Sequence, residues 1–238
     1  MTEKHRVQKL ISNRGYCARR KAEELIKQSR VTVNGKLVSI GMSAAETDVI
    51  RVDGQVVAAT KKMVIAFHKP VGCVTALSDK FHKTIMDYIF MRERVFPIGR
   101  LDFNTSGLLL LTNDGDFANK VMHPRYTVIK TYEARCDTVI EQRSVQEIRR
   151  GMLIGGRIVK CVARLLRPNV IELTLHEGRK HIVKKLLSEC GLHVVTLKRT
   201  RIGKLERGSI AVGEWKELNK KEIKSIHECL VTFLKENR

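Results

Sequence analysis

This chain of 238 residues predicts an α+β fold in two parts. A small N-terminal module spans residues 1–59, a short linker residues 60–62, and a larger domain residues 63–238, with a mainly antiparallel mixed sheet flanked by helices. Three observations predict it. Two short helical patterns and a hairpin signal fill the first sixty residues. From Met63 onward strands and helices follow one another without regular βαβ alternation, which argues against a parallel sheet. A hydrophobic content of 43% with a mean hydropathy of −0.19 is ordinary for a chain with a buried core.

Within the first module, Val7, Leu10 and Ile11 share one helical face, and Ala18, Ala22, Leu25 and Ile26 another, with Asn13-Arg14-Gly15 as the break. Arg14, Arg19, Arg20 and Lys21 fall outside that apolar stripe. Val31-Thr32-Val33 and Lys36-Leu37-Val38 flank Asn34-Gly35, a strong short-range hairpin signal, and Asp48 to Gly54 reads as a further strand and turn. Ala58 to Lys62 serves as the linker. Beyond it, Val64 to Phe67 predicts a strand stopped at Lys69-Pro70, Leu108 to Leu111 a strand covered on both faces, and Lys130 to Cys136 and Val170 to Leu175 two more. Helices are expected at 116–122 and 144–150. A third carries Ile182, Val183, Leu186, Leu187 and Cys190 on one face, with Gly191 as its stop.

Charge narrows the function classes. Forty-five Lys and Arg against 25 Asp and Glu give a formal +20, far more than solubility requires, so a polyanion is the expected partner, with nucleic acid ahead of a membrane surface. Apolar runs are only a handful of residues long, and Met-Thr-Glu-Lys-His-Arg at the start has no apolar stretch behind its charges, so a cytoplasmic protein without membrane association is expected. Six cysteines, Cys17, Cys73, Cys136, Cys161, Cys190 and Cys229, contain no C-x-x-C pair and read as reduced thiols filling small gaps. The histidines of His176-Glu177-Gly178-Arg179-Lys180-His181 are five apart with a glycine between them, which is wrong for a zinc-binding helix. No metal site is expected.

The segment with the most chemistry is Gly99-Arg100-Leu101-Asp102-Phe103-Asn104-Thr105-Ser106-Gly107, followed by four leucines. It sets one carboxylate, Asp102, on the loop entering a buried strand, where a carboxylate loses hydration and needs a cation or hydrogen-bond donors. Such a setting positions and activates a weak nucleophile. Its start imitates a calcium loop, but position twelve is Asn113 instead of the required Glu, and leucines intervene. By residue type alone Asp102 reads sooner as a turn cap or as a partner of Arg100.

The segment closely resembles the catalytic motif of the RsuA-type pseudouridine synthases. Three further stretches match that family in order. Phe67-His68-Lys69-Pro70-Val71-Gly72 looks like its opening motif, Lys130-Thr131-Tyr132 like its tyrosine motif, and Glu177-Gly178-Arg179 with Ile182-Val183-Lys184-Lys185-Leu186 like its third motif. Gly213 to Leu218 resembles the closing segment, and Arg30-Val31-Thr32-Val33-Asn34-Gly35 resembles the signature of an S4 RNA-binding domain. The resemblance runs to about residue 222 and is nearest to the RluB-like members acting on large-subunit ribosomal RNA.

That resemblance implies an enzyme that isomerises a uridine of ribosomal RNA, naked or within a ribosome-assembly intermediate, without a cofactor and as a monomer. Asp102 would add to ribose C1′ or remove a ribose proton, and Tyr132 would pack beside the target base. Lys184 falls where the family pairs a basic residue with the aspartate. On residue type alone Tyr132 reads sooner as a core residue, and a helical wheel sets Lys184 off the apolar stripe toward water. Arg100, Arg179 and His181 read as substrate or phosphate contacts, a surface that the basic stretch Lys198 to Arg207 extends, and the module's Arg14, Arg19, Arg20 and Lys21 read as an RNA-binding face. Two departures stand out: Asn104 replaces the Asp of many relatives, and Lys180-His181-Ile182 lacks their glutamine amide. Rival readings are a small-subunit synthase and a non-catalytic ribosomal RNA-binding assembly factor.

Overall fold

The structure is a computed structural model that describes residues 3–126, 128–176 and 178–227. It holds two compact units: one built from the described residues up to Met63 with Met91–Phe96 and Thr112–Asp116, the other from Val64–Phe90, Pro97–Leu111 and Phe117 onward.

In the first unit, β1 (Lys4–Arg6) leads into α1 (Val7–Asn13) and α2 (Arg19–Lys27), followed by β2 (Val31–Val33), β3 (Lys36–Leu37), β4 (Ser43–Ala45), β5 (Ile50–Val52) and β6 (Gln55–Val56). A four-stranded sheet has the order β3-β2-β5-β6, and β1 pairs with β4. The predicted apolar stripes form its core, where Val7, Leu10, Ile11, Ala22, Leu25 and Ile26 pack on Val31, Ile50 and Val52. Ala18 is an exception, because it is the N-cap of α2 and stays exposed. Asn34 (φ 50°) and Gly35 (φ 80°) make the expected hairpin turn with two successive left-handed residues. The Asn34 side chain also bonds to Asp48 and Val49.

The second unit is organised by one nine-stranded sheet. Its strands are β7 (Val64–Lys69), β8 (Phe96–Ile98), β9 (Thr105–Thr112), β10 (Lys130–Cys136), β13 (Val162–Arg167), β14 (Val170–Leu175), β15 (Val194–Ile202), β16 (Leu205–Glu206) and β17 (Trp215–Glu217). The hairpin β11 (Met152–Ile154) and β12 (Arg157–Val159) lies outside it, and the helices are α3 (Gly115–Met122), α4 (Gln142–Arg150), α5 (Ile182–Glu189) and α6 (Lys220–Ser225). Strand order is β13-β14-β10-β15-β9-β7-β17. The β9–β15 pair is parallel, whereas β10–β14, β10–β15, β13–β14 and β7–β17 are antiparallel. Leu108 to Leu111 are fully buried, as expected of a strand covered on both faces.

Gly107 (φ 112°) makes the β9–β15 pairing possible. A Cβ there would lie 2.2 Å from the Arg199 carbonyl oxygen, so no other residue lets the two backbones approach this closely. At the far end of β9 the Thr112 hydroxyl donates to Met63 O, and the buried Asn113 bonds both Met63 N and Lys61 O. Side-chain bonds thus anchor the segment expected to be a linker. Cys17, Cys73, Cys136, Cys161 and Cys190 are free thiols, and Cys229 lies outside the described residues. Among the described residues no helix is long and apolar enough to cross a membrane.

Candidate active site

Asp102 lies on the loop between β8 and β9, and backbone bonds fix that loop on both sides. The Thr75 hydroxyl donates to Leu101 O (2.8 Å) and accepts from Leu101 N (3.2 Å), while Gly72 N donates to Phe103 O (3.0 Å). Thr105 N donates to Asp102 O at 3.0 Å and closes the turn.

Beneath the turn sits Lys69, the last residue of β7, at 0% exposure. Its ammonium donates to Pro70 O (2.9 Å), Asp102 O (3.1 Å) and Thr105 O (3.2 Å), using all three of its protons. Burial pulls its pKa below the usual lysine value, and Cys73 and Asp102 pull it back up. Lys69 therefore works as a three-way clamp on the backbone that carries Asp102. From sequence it appeared only as a strand end within the opening motif. The signal available was a lysine two residues beyond the end of an apolar run and directly before a proline.

The Asp102 side chain, 31% exposed, points into a cavity of about 620 Å³, within the range typical of small-molecule and nucleotide sites. Among the described residues lining it are six Lys or Arg (Arg100, Lys130, Arg157, Arg179, Lys180 and Arg199), two histidines (His176 and His181) and one carboxylate, Asp102. An anionic ligand is favoured throughout this cavity, and Asp102 is the single acceptor-only side chain on its described wall.

Tyr132 on β10 is buried against this wall, opposite Arg199 of β15 and Leu173 of β14. Lys130, two residues earlier, also lines the cavity and donates to Val128 O at 3.0 Å. Burial, reinforced by repulsion from Arg199, lowers its pKa to about 8. Arg199 was expected on an RNA-facing surface and is instead 2% exposed, with Nε donating to Leu108 O at 2.7 Å. The reason is that β15 runs through the middle of the sheet, between β10 and β9.

The remaining candidates divide by environment. His181 caps α5 in a left-handed conformation (φ 58°) without a side-chain cap bond, and its Nε2 lies 3.3 Å from Asp102 Oδ1. Arg179 donates to Ile154 O at 2.8 Å, which ties the loop before α5 to the β11–β12 hairpin. Arg100 lies exposed on the cavity rim. Lys184, on the first turn of α5, is half-buried, and among the described residues it makes no ion pair with Asp102 and does not line the cavity. The α5 stripe of Ile182, Val183, Leu186 and Leu187 fills the core and turns Lys184 aside, as the wheel indicated. Glu177 of the third motif lies outside the described residues.

In the first unit Arg19, Arg20 and Lys21 are exposed. Arg14 has a different job: its guanidinium donates to Val57 O (3.1 Å), Glu46 O (2.7 Å) and Asp48 O (3.0 Å) and pins three loop carbonyls. Arg30 of the hairpin motif likewise grips Asp53 with both arms, at 2.8 and 2.6 Å. Both arginines, basic in the sequence, serve the module's own fold.

Comparison with known proteins agrees with this geometry. The RNA pseudouridylate synthase family model matches residues 63–189, and the S4 domain model residues 5–50. An uncharacterized RNA pseudouridine synthase of Aquifex aeolicus is 40% identical, with 94% of each chain covered. The ribosomal large subunit pseudouridine synthase B of Bacillus subtilis is 39% identical, with 93% of this chain and 95% of that protein covered. The dual-specificity RNA pseudouridine synthase RluF of Escherichia coli is 35% identical over 92% of this chain and 77% of its own. A crystal structure of a pseudouridylate synthase superposes with a TM-score of 0.70 at 29% identity, covering 93% of this chain and 99% of that one. The cationic cavity around one carboxylate, the family match across more than half of the sequence and these relatives lead to one conclusion: the chain belongs to the RNA pseudouridylate synthase family, with an S4 domain ahead of its pseudouridine synthase domain.

Proposed function

We propose that this protein converts a uridine of large-subunit ribosomal RNA to pseudouridine in the cytoplasm, with Asp102 as the nucleophile or base. The observation that carries the assignment is the single carboxylate on the described wall of a cavity whose other charged side chains there are six Lys and Arg. The RNA class and subunit are taken from the Bacillus subtilis relative, whose name specifies the ribosomal large subunit.

The reaction breaks the bond from C1′ to N1, turns the uracil, joins C5 to C1′, releases the C5 proton and leaves a proton on N1, with no net redox change. Asp102 adds to C1′, or takes a ribose proton to give a glycal; either route needs an ionised carboxylate held beside the sugar. The Lys69 clamp supports this by fixing the backbone of the loop. Tyr132 offers an aromatic wall to an extruded base. Lys184 is the charge we assign to Asp102 in the RNA complex; in the structure His181 stands at that carboxylate. Arg100, Arg179 and His181 are assigned to phosphate and ribose oxygens around the cavity. Residues 1–59 are assigned to the RNA-binding module, with Arg19, Arg20 and Lys21 as its phosphate-contacting face, and residues 63–238 to catalysis.

Mapping pseudouridines in ribosomal RNA from cells with and without the protein tests this reading. One large-subunit site, or a small cluster, should disappear on deletion and return with the wild-type gene. Loss confined to small-subunit RNA, or an unchanged map in both subunits, would refute it.

A further inference from the structure

We infer that Phe81 and Phe103, joined through His82, form a stacking platform for an unpaired nucleotide flanking the reacting uridine. This rests on the RNA activity proposed at Asp102. Phe81 is 88% exposed, although leaving a phenyl ring in water forfeits its burial energy, and Phe103 is 40% exposed. Neither ring sits on a loose segment. The Asp79 carboxylate accepts from Phe81 N and His82 N, both at 2.9 Å, and lies 3.2 Å from His82 Nδ1. Val74 N donates to Lys83 O at 2.9 Å and so closes the loop, and Thr84 and Asp87 form a capping box behind it.

The loop contacts the residues on either side of Asp102. Thr75 holds Leu101, the residue before it. The His82 ring meets the Phe103 ring, the residue after it, edge to face at 5.3 Å between centroids and 74° between planes. Phe103 is the residue next to Asp102, yet it, Phe81 and His82 lie outside the lining of the cavity, so they would meet a nucleotide flanking the uridine and not the uridine itself.

Charge selects the occupant. Phe81 and His82 lie between the exposed Lys80 and Lys83. Flat apolar faces interleaved with cations suit nucleotides, whose bases stack while their phosphates meet the lysines, and stacking of this kind accepts any base. A rigid aromatic platform would hold the neighbouring base while the target leaves its stack, and so offset part of the unstacking cost.

The test uses full-length protein and unmodified large-subunit ribosomal RNA transcribed in vitro. Affinity is measured by filter binding and rate by single-turnover tritium release from [5-³H]uridine. Phe81→Ala should weaken RNA binding by about 5- to 140-fold, the range for loss of one base–aromatic stack. The salt slope of binding should match wild type, since no phosphate contact is lost. Phe81→Trp keeps a stacking face and should restore affinity to within about threefold of wild type.

Wild-type affinity for Phe81→Ala would refute the platform and leave the activity reading intact, as would a Trp variant as weak as the Ala variant. Wild-type protein that releases no tritium from this large-subunit ribosomal RNA would sink the activity reading, and the platform with it.

Discussion

Replacing Lys69 with methionine should cost about 3 kcal/mol of stability, although it removes a buried charge and substitutes an apolar side chain of similar length. The sign follows from what the ammonium holds. Three carbonyl oxygens, of Pro70, Asp102 and Thr105, accept its protons at 2.9 to 3.2 Å. Each loses a charged donor in the variant, at about 1–3 kcal/mol per stranded acceptor. Two have partial cover: Thr105 N still reaches Asp102 O at 3.0 Å, and the Cys73 thiol lies 3.7 Å from Pro70 O. Relief of the lysine's desolvation offsets the remainder in part, and about 3 kcal/mol is left. Trp215, the single tryptophan of the chain, pairs with Phe67 two residues before Lys69, so its fluorescence follows this region directly. Urea titration should show a lower midpoint at an unchanged slope. A loss below about 1 kcal/mol would mean that the clamp does not hold the Asp102 loop.

Lys130→Met should act in the opposite direction and stabilise the protein at pH 7 by about 2 kcal/mol, because a pKa lowered from 10.5 to about 8 represents a desolvation cost of about 3 kcal/mol and only the bond to Val128 O, worth about 1 kcal/mol, is lost. The folded-state pKa lies below the unfolded one, so the unfolded chain binds more protons across that interval. Wild-type stability should therefore rise as pH increases from about 8 toward 10.5, and the Met variant should lack the rise; parallel urea midpoints over that range would contradict the assignment. Changing Arg19, Arg20 and Lys21 together to Gln should reduce the slope of log affinity against log salt by about 2 to 3 if all three touch phosphate. A slope equal to wild type would show that this face of α2 does not meet the RNA.

Lys69 and Lys130 show how much of the site was legible. Both carry the same charge and both leave the open surface, Lys69 buried and Lys130 half-buried, yet only tertiary placement gives one three acceptors and the other a single acceptor. No local pattern encodes that count. Periodicity located the elements bounded by strong local signals: Val170–Leu175 matches residue for residue, and α5 ends at Glu189 with Gly191 just beyond its cap. It missed β15, where Lys198, Arg199 and Arg201 read as a basic surface although the strand crosses the centre of the sheet. Arg14, expected on the RNA-binding face, is held within its own module for a related reason, since a guanidinium can grip a carbonyl of its own chain as readily as a phosphate. Asp102 itself needed the family motif, because a lone aspartate before a strand is an ordinary turn residue. The β11–β12 hairpin has a signal that the periodicity reading passed over, Gly155-Gly156 between two short apolar-containing runs, and through Arg179 it reaches the cavity.

The most direct measurement is tritium release from [5-³H]uridine-labelled large-subunit ribosomal RNA by Asp102→Asn, with RNA affinity measured in parallel. The substitution keeps the size of the side chain and the backbone bonds from Lys69 and Thr105, and removes only the ionisable carboxylate. Release should be abolished while affinity stays within about threefold of wild type. Turnover above roughly one per cent of wild type would contradict Asp102 as the reacting group.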